Sequence, residues 1–164
     1  MNTLVITTLG APRPKQSFKM WRGRPVGITE ANKKLKHWTH RLARAAREAT
    51  DVAGCWGALD LIEVIRTGGA IRMDATFYIP IKNRKKWGKP HTAVPDEDNL
   101  RKTVKDVLQK AGVLSNDSRI FGGETWKFYA QEGGCTLKLT PHGLTPDADD
   151  DEDLGVGYVA SNST

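Results

Sequence analysis

The chain has 164 residues, with 25 Lys and Arg against 19 Asp and Glu, a net charge of +6. That length fits one domain with a sizeable core, and 38% hydrophobic with 27% charged residues is ordinary globular composition. No apolar run approaches the ~18–20 residues of a membrane helix, MNTLVITTLGAPRPK lacks the basic opening of a signal peptide, and two cysteines, Cys55 and Cys135, are too few for a disulfide scaffold or a four-cysteine zinc site; a reduced, cytoplasmic protein is expected.

Leu4 and Ile6 alternate in TLVITTL, which predicts a first strand. A loop follows, GAPRPKQSFKMWRGRPVG, with three prolines and the basic residues Arg13, Lys15, Lys19, Arg22 and Arg24. Thr29 is a plausible N-cap with Glu30 in the first turn. Ala31, Leu35, Trp38, Leu42, Ala45 and Ala49 then form one apolar face of a helix of about five to six turns. Residues 51–69 are ambiguous: ALDLIEVIRTGG fits a short helix stopped at Gly68-Gly69 or a strand, and the helix is the preferred reading. IRMDATFYIP reads as a strand, and residues 80–95 as a long basic loop, a kind that is usually functional or mobile. A second long helix is expected from about Asp98 to Ala111, ending at Gly112. Arg119–Ala130 and Cys135–Thr140 are strands joined by QEGG.

The charge is uneven. Residues 145–164 hold six acids and no Lys or Arg, so the body, residues 1–144, has 25 basic against 13 acidic side chains, a net of +12. The tail is polar and acidic and is expected to be disordered. A body this basic suits nucleic acid or another polyanion, although a solvated basic surface gives the same count.

The sharpest local pattern is PDEDNLRKTVKDVLQKAGVLSNDSRI, residues 95–120. At 100° per residue, Leu100, Val104, Val107, Leu108 and Ala111 make a buried face, while Asp98, Lys102, Lys105, Asp106 and Gln109 lie opposite. Asp96 and Asp98 sit together at the helix start, and Asp117 follows the helix end in a turn. Clustered carboxylates raise one another's pKa unless a cation lies between them. Oxygen donors suit a hard divalent ion such as Mg²⁺, which can activate water and stabilise charge on a phosphodiester. Lys102, one turn from Asp98, could hold phosphate. Each residue singly also has a plainer role. Asp96 or Asp98 fits an N-cap, Asp98–Lys102 and Lys102–Asp106 fit surface pairs, and Asn116-Asp117 fits ordinary turn chemistry.

Other sites are weaker. His37, His40, His91 and His142 have no zinc-site spacing, and no phosphate-binding Gly loop or GxSxG is present. Trp87 lies among Arg84, Lys85, Lys86 and Lys89 and could stack on an exposed base; Trp38 and Trp126 read as core.

At these residues the sequence resembles the RusA family of Holliday junction endodeoxyribonucleases, found in bacteria and their phages. The resemblance rests on GAPRPK, the helix from Thr29, TFYIP, KNRKKWGKPH, PDEDNLRKTVKDVLQKAG, SNDSRI and WKFYA, which together cover most of residues 1–140 except 51–69. It implies a dimeric α+β domain with a small mixed sheet and two main helices, in the order β-α-β-α-β-β. By the same resemblance Asp96, Asp98 and Asp117 match the family's Mg²⁺-binding carboxylates and Lys102 its catalytic lysine. Asp106 also has a counterpart. Glu97 departs from a usually apolar position, and Asn116 stands where many members have a second Asp.

The expected function is therefore a Mg²⁺-dependent endonuclease, with Mn²⁺ as a possible substitute, that resolves four-way DNA junctions in recombination and repair as a homodimer. Asp96, Asp98 and Asp117 would hold the metal, and Lys102 would stabilise phosphate charge. Arg13, Lys15, Arg84, Lys85, Lys86 and Lys89 would contact the DNA backbone. The expected setting is the cytoplasm of a bacterial or phage-infected cell, with no membrane partner. The alternative is a non-catalytic junction- or DNA-binding protein, which explains the charge but not the acids.

Overall fold

The computed structural model describes residues 3–15, 20–21, 24–25, 29–55 and 57–142, with side chains described for these except within 16–31. The elements in chain order are β1 (Leu4–Leu9), a small hairpin of β2 (Met20–Trp21) and β3 (Arg24–Pro25), α1 (Thr29–Cys55), α2 (Leu59–Thr67), β4 (Ile71–Pro80), α3 (Glu97–Lys110), β5 (Ile120–Gly122), β6 (Thr125–Ala130) and β7 (Gly134–Pro141). This is the expected α+β class. The acidic tail 145–164 lies outside the described residues, as do the side chains of Lys19, Arg22 and Arg24.

β4 is the centre of one mixed sheet. It pairs antiparallel with β7, which pairs antiparallel with β1, and parallel with β5 and β6 on its other side. The parallel pairing follows from connectivity, because α3 carries the chain from the end of β4 back to the start of β5. On the inner face, Ile71, Met73, Ala75 and Phe77 of β4 join Leu4 and Ile6 of β1 and Cys135, Leu137 and Leu139 of β7. α1 lays Trp38, Leu42 and Ala46 on this face, α2 adds Leu61 and Ile65, and α3 adds Leu100, Val104, Val107 and Leu108. Each such fully buried Leu or Val contributes about 1.5–3 kcal/mol, before conformational entropy is set against it.

Three helices stand where two main ones were expected. The ambiguous stretch becomes the last turns of α1 followed by α2, whose final turn is capped by the Gly68 N–H donating to Val64 O. α1 runs 27 residues, longer than expected, and Thr50 Oγ1 donates back to its carbonyls at Ala46 and Arg47. The expected strand from Arg119 to Ala130 is broken into β5 and β6. Gly123 interrupts it with φ of +122°, and a Cβ there would overlap the Met73 carbonyl. The break is fastened by Asp74, whose Oδ1 accepts from the Glu124 N–H at 2.8 Å, and by Arg101, which donates to Gly122 O at 2.9 Å and Thr125 Oγ1 at 2.7 Å.

Register corrects one core expectation. Thr125, Lys127 and Tyr129 pair with Ala75, Phe77 and Ile79, so they share the inner face. Trp126 and Phe128 therefore point outward, and Trp126 is 53% exposed rather than core. Its ring stacks on Phe128 at 6.4 Å. Trp38 is core as expected, at 2% exposure.

The long basic loop is laced to the sheet. The Ile81 N–H donates to Ala130 O, Gly88 N–H to Tyr129 O, Tyr129 N–H to Lys89 O and His91 N–H to Lys127 O, at 2.8–3.0 Å. Residues 88–91 thus run beside β6 and cover its outer edge, which would otherwise present unpaired backbone groups.

Candidate active site

α3 positions the acidic cluster. Asp96 stands at its N-cap with extended backbone, and Glu97 and Asp98 fill the first turn, where the helix dipole favours negative charge. The Asp96 carboxylate accepts no capping bond. Among the described residues, Asp98 and Lys102 also make no side-chain hydrogen bond or ion pair, so the plainer capping and pairing roles are not taken up. Lys102 is exposed and unpaired to either Asp98 or Asp106. Asp106 faces Lys15 instead, with Nζ at 3.5 Å, and the Lys15 N–H donates to Thr103 Oγ1 at 2.8 Å. The proline-rich segment is thereby tied along α3.

Asp117 is half-buried and opens a short 3-10 turn, Asp117–Arg119, after α3. Asn116 Oδ1 accepts the Ser118 N–H at 2.9 Å, so this oxygen serves the turn. Arg119 anchors the turn to the end of α2, donating to Val64 O at 2.6 Å, Ile65 O at 2.9 Å and Gly69 O at 2.9 Å. The register separates this turn from the start of α3. Ile120 stands beside Ile71, whereas Lys127, whose ammonium touches Pro95 O, stands beside Phe77. Six residues of strand span about 20 Å. Among the described residues no three His, Cys, Asp or Glu side chains form a cation-sized group. One chain thus brings Asp96 and Asp98 to one helix end and leaves Asp117 apart from them.

Two groups lie under the helix start: Lys127, whose strand WKFYA is part of the resemblance but was given no role from sequence, and His91, which was read only as lacking zinc-site spacing. Lys127 Nζ donates to Pro95 O at 2.8 Å and Ala93 O at 3.1 Å. His91 is 6% exposed, its Nδ1 has no partner, and its ring lies 4.6 Å from that of Tyr129. Burial, and then the nearby Lys127 ammonium, hold the His91 imidazole below its ordinary pKa. Arg101 was also missed. It points into an open groove of about 530 Å³, shared with Glu97, Lys105 and the Phe121–Gly123 segment.

The basic residues form two surfaces. Arg84, Lys85 and Lys86 make a 3-10 turn capped by Asn83 Oδ1, and they and Lys89 are exposed. Trp87 is half-buried; its Nε1 donates to Ile81 O at 2.9 Å and the Arg84 guanidinium lies over its ring at 5.5 Å. Lys86 lies over Tyr129 at 5.3 Å. Arg13 faces a second groove, about 460 Å³, whose other wall is Lys33, Lys34, His37 and Arg41 of α1. The α1 contribution was not foreseen, because only the three-dimensional approach of α1 to residues 10–13 joins the two segments.

No helix among the described residues is long and apolar enough to cross a membrane. Over 70 residues the chain is 31% identical to the crossover junction endodeoxyribonuclease rusA of Lactococcus phage r1t, an alignment covering 43% of this chain and 53% of that protein. It thus spans about half the length of the curated relative it matches. The family profile described as Endodeoxyribonuclease RusA matches residues 10–140. That span takes in the proline-rich segment, the basic loop, the acidic start of α3 and nearly all of β7, and on it the chain belongs to the RusA endodeoxyribonuclease family.

Proposed function

We propose that the chain is a structure-selective endodeoxyribonuclease that resolves Holliday junctions by metal-dependent phosphodiester hydrolysis in DNA recombination and repair. One observation carries this reading: in a RusA-family chain, Asp96, Asp98 and Lys102 stand together at the start of α3 with none of their side chains committed elsewhere among the described residues.

The donor set fits a hard divalent cation. Mg²⁺ usually keeps several waters and is held by one or two carboxylates, which Asp96 and Asp98 can supply, and Mn²⁺ accepts the same oxygens. Held there, such an ion would supply an activated water and charge stabilisation at the scissile phosphate. Lys102 then contributes a positive charge one turn along the same face, where negative charge develops on the phosphate. Arg84, Lys85, Lys86 and Lys89 hold backbone phosphates on the loop leading into Asp96, while Arg13 and Lys15 do so beside α3. Such contacts orient the duplex arms without reading sequence.

We take the working form to be a homodimer, which can cut two opposed strands of a four-way junction. It also gives Asp117 a route to the site: the turn of one copy can reach the α3 start of the other.

The test is cleavage of a synthetic four-way junction by the wild type and by Asp98→Asn, in Mg²⁺ and in EDTA. The expected result is paired nicks in Mg²⁺ only, lost in Asp98→Asn while junction binding persists. Near-normal cleavage by Asp98→Asn sinks the site. Failure of the wild type to cut, with tight junction binding, favours the non-catalytic alternative. Mixing Asp98→Asn with Asp117→Asn chains then tests the shared site. In a mixed dimer, a site built across the two copies leaves one site with all its acids and restores nicking, whereas sites contained within each chain leave both broken.

A further inference from the structure

Lys127 is the only lysine on the sheet's inner face among the described residues. Its strand neighbour Phe77 is fully buried, but Lys127 itself is half-buried, and its ammonium reaches the loop that leads into α3. Its partners there are backbone carbonyls, Pro95 O at 2.8 Å and Ala93 O at 3.1 Å. No carboxylate pairs with it among the described residues. The same segment holds the lysine's own backbone, since the His91 N–H donates to Lys127 O at 2.8 Å. Lys127 thus ties β6 to residues 91–95 through both its main chain and its side chain.

The placement matters because Pro95 O belongs to the peptide plane that also contains the Asp96 nitrogen. Fixing that oxygen fixes the direction in which Asp96 enters α3. The Asp96 side chain takes no part in capping, so the backbone entering the helix must orient it.

We infer that Lys127 is a positioning residue, holding Ala93 and Pro95 against β6 so that Asp96 presents its carboxylate beside Asp98. This rests on the reading of those two acids as cation ligands. It makes a prediction of sign. An ammonium near a cation repels it, so simple loss of charge would tighten metal binding. Loss of positioning loosens it.

The experiment compares full-length wild type, Lys127→Met and Lys127→Arg by calorimetric titration with Mn²⁺, by junction cleavage against Mg²⁺ concentration, and by amide hydrogen exchange over residues 96–100. The expected result for Lys127→Met is a Mn²⁺ dissociation constant raised about 10–100-fold, as for loss of a group that orients a metal ligand. The Mg²⁺ midpoint should rise alongside, with most of the maximal rate recovered at saturating Mg²⁺, junction binding in EDTA unchanged, and exchange faster in that segment. In an Asp96→Asn background the Met substitution should add nothing further. Unchanged or tighter Mn²⁺ binding by folded Lys127→Met overturns the inference. If Lys127→Met does not fold, Lys127→Arg decides: its guanidinium can still serve both carbonyls, so cation affinity within about threefold of wild type supports the inference, and a loss above tenfold in the folded protein overturns it. If wild type neither binds Mn²⁺ nor cuts, the metal-site reading fails. Faster exchange over 96–100 in Lys127→Met would then still support the positioning role, and unchanged exchange would remove it.

Discussion

Arg119 fixes the Asp117 turn, and its removal should be costly. The guanidinium donates to Val64 O, Ile65 O, Gly69 O and Ser115 Oγ, with Gly69 O accepting twice. Arg119→Met keeps much of the aliphatic stem and deletes every donor. Val64 O retains the Gly68 N–H at 2.9 Å, so the main losses are at Ile65 and Gly69. A hydrogen bond from a charged group contributes about 1.5–3 kcal/mol, and water replaces part of it at this half-exposed site. The expected destabilisation is about 2–4 kcal/mol. For a chain of this size that is a fall in Tm of about 6–12 °C. Urea melts followed by circular dichroism should show a lower midpoint at unchanged m-value. Arg119→Lys should recover less than half the loss, because an ammonium cannot reproduce the planar fork. If Asp117 serves cleavage, activity at a temperature where Arg119→Met is folded should fall as well. A loss below about 1 kcal/mol would refute the reasoning, since it would mean that solvent satisfies these carbonyls equally well.

Replacing Lys85, Lys86 and Lys89 with Ala should flatten the plot of log K against log salt by about two to three units if all three touch phosphates. An unchanged slope in the folded triple variant would move the DNA path to the groove of Arg13 and α1. Gly123→Ala should cost about 3 kcal/mol or more, from left-handed backbone and overlap with Met73, which a urea melt will show. His91 is held below its ordinary pKa. The folded state therefore resists the proton that the unfolded chain accepts, and stability is full above about pH 6.5 and falls as pH drops through the lowered value. The difference in urea midpoint between pH 8 and pH 5 should be smaller in His91→Phe than in wild type, and equal differences would remove His91 as a source.

The helices and their inner faces were legible because period and caps agreed: Leu100, Val104, Val107 and Leu108 are buried as their spacing requires, and Gly112 takes φ of +77° at the end of α3. Strand faces were harder. TWKFYA alternates, but period two does not say which set faces the core. Trp126 read as core, and the structure turns the half-buried Lys127 side inward instead, because the parallel register with β4 and the hydrogen bonds to Ala93 and Pro95 hold it there. The acids of α3 were visible as a pair at i and i+2 around a helix start. The distance to Asp117 was not, since it depends on where β5 meets β4. Arg119 and Arg101 escaped for the same reason: most of their partners are backbone carbonyls, which carry no sequence signal, and Thr125 meets Arg101 only through the fold.

The lacing of residues 81–91 onto β6 has a thermodynamic consequence. A basic segment that must order itself on DNA gives up conformational entropy on binding, about 1–2 kcal/mol for each residue fixed. Here the backbone that displays Arg84, Lys85, Lys86 and Lys89 is already fixed by bonds to Tyr129, Lys127 and Ala130. Only the lysine and arginine stems remain to be ordered, so association should proceed with little folding and a small heat-capacity change. The phosphates would meet a pre-formed rail of charge, and its spacing, rather than its adaptability, would favour one arrangement of strands over another.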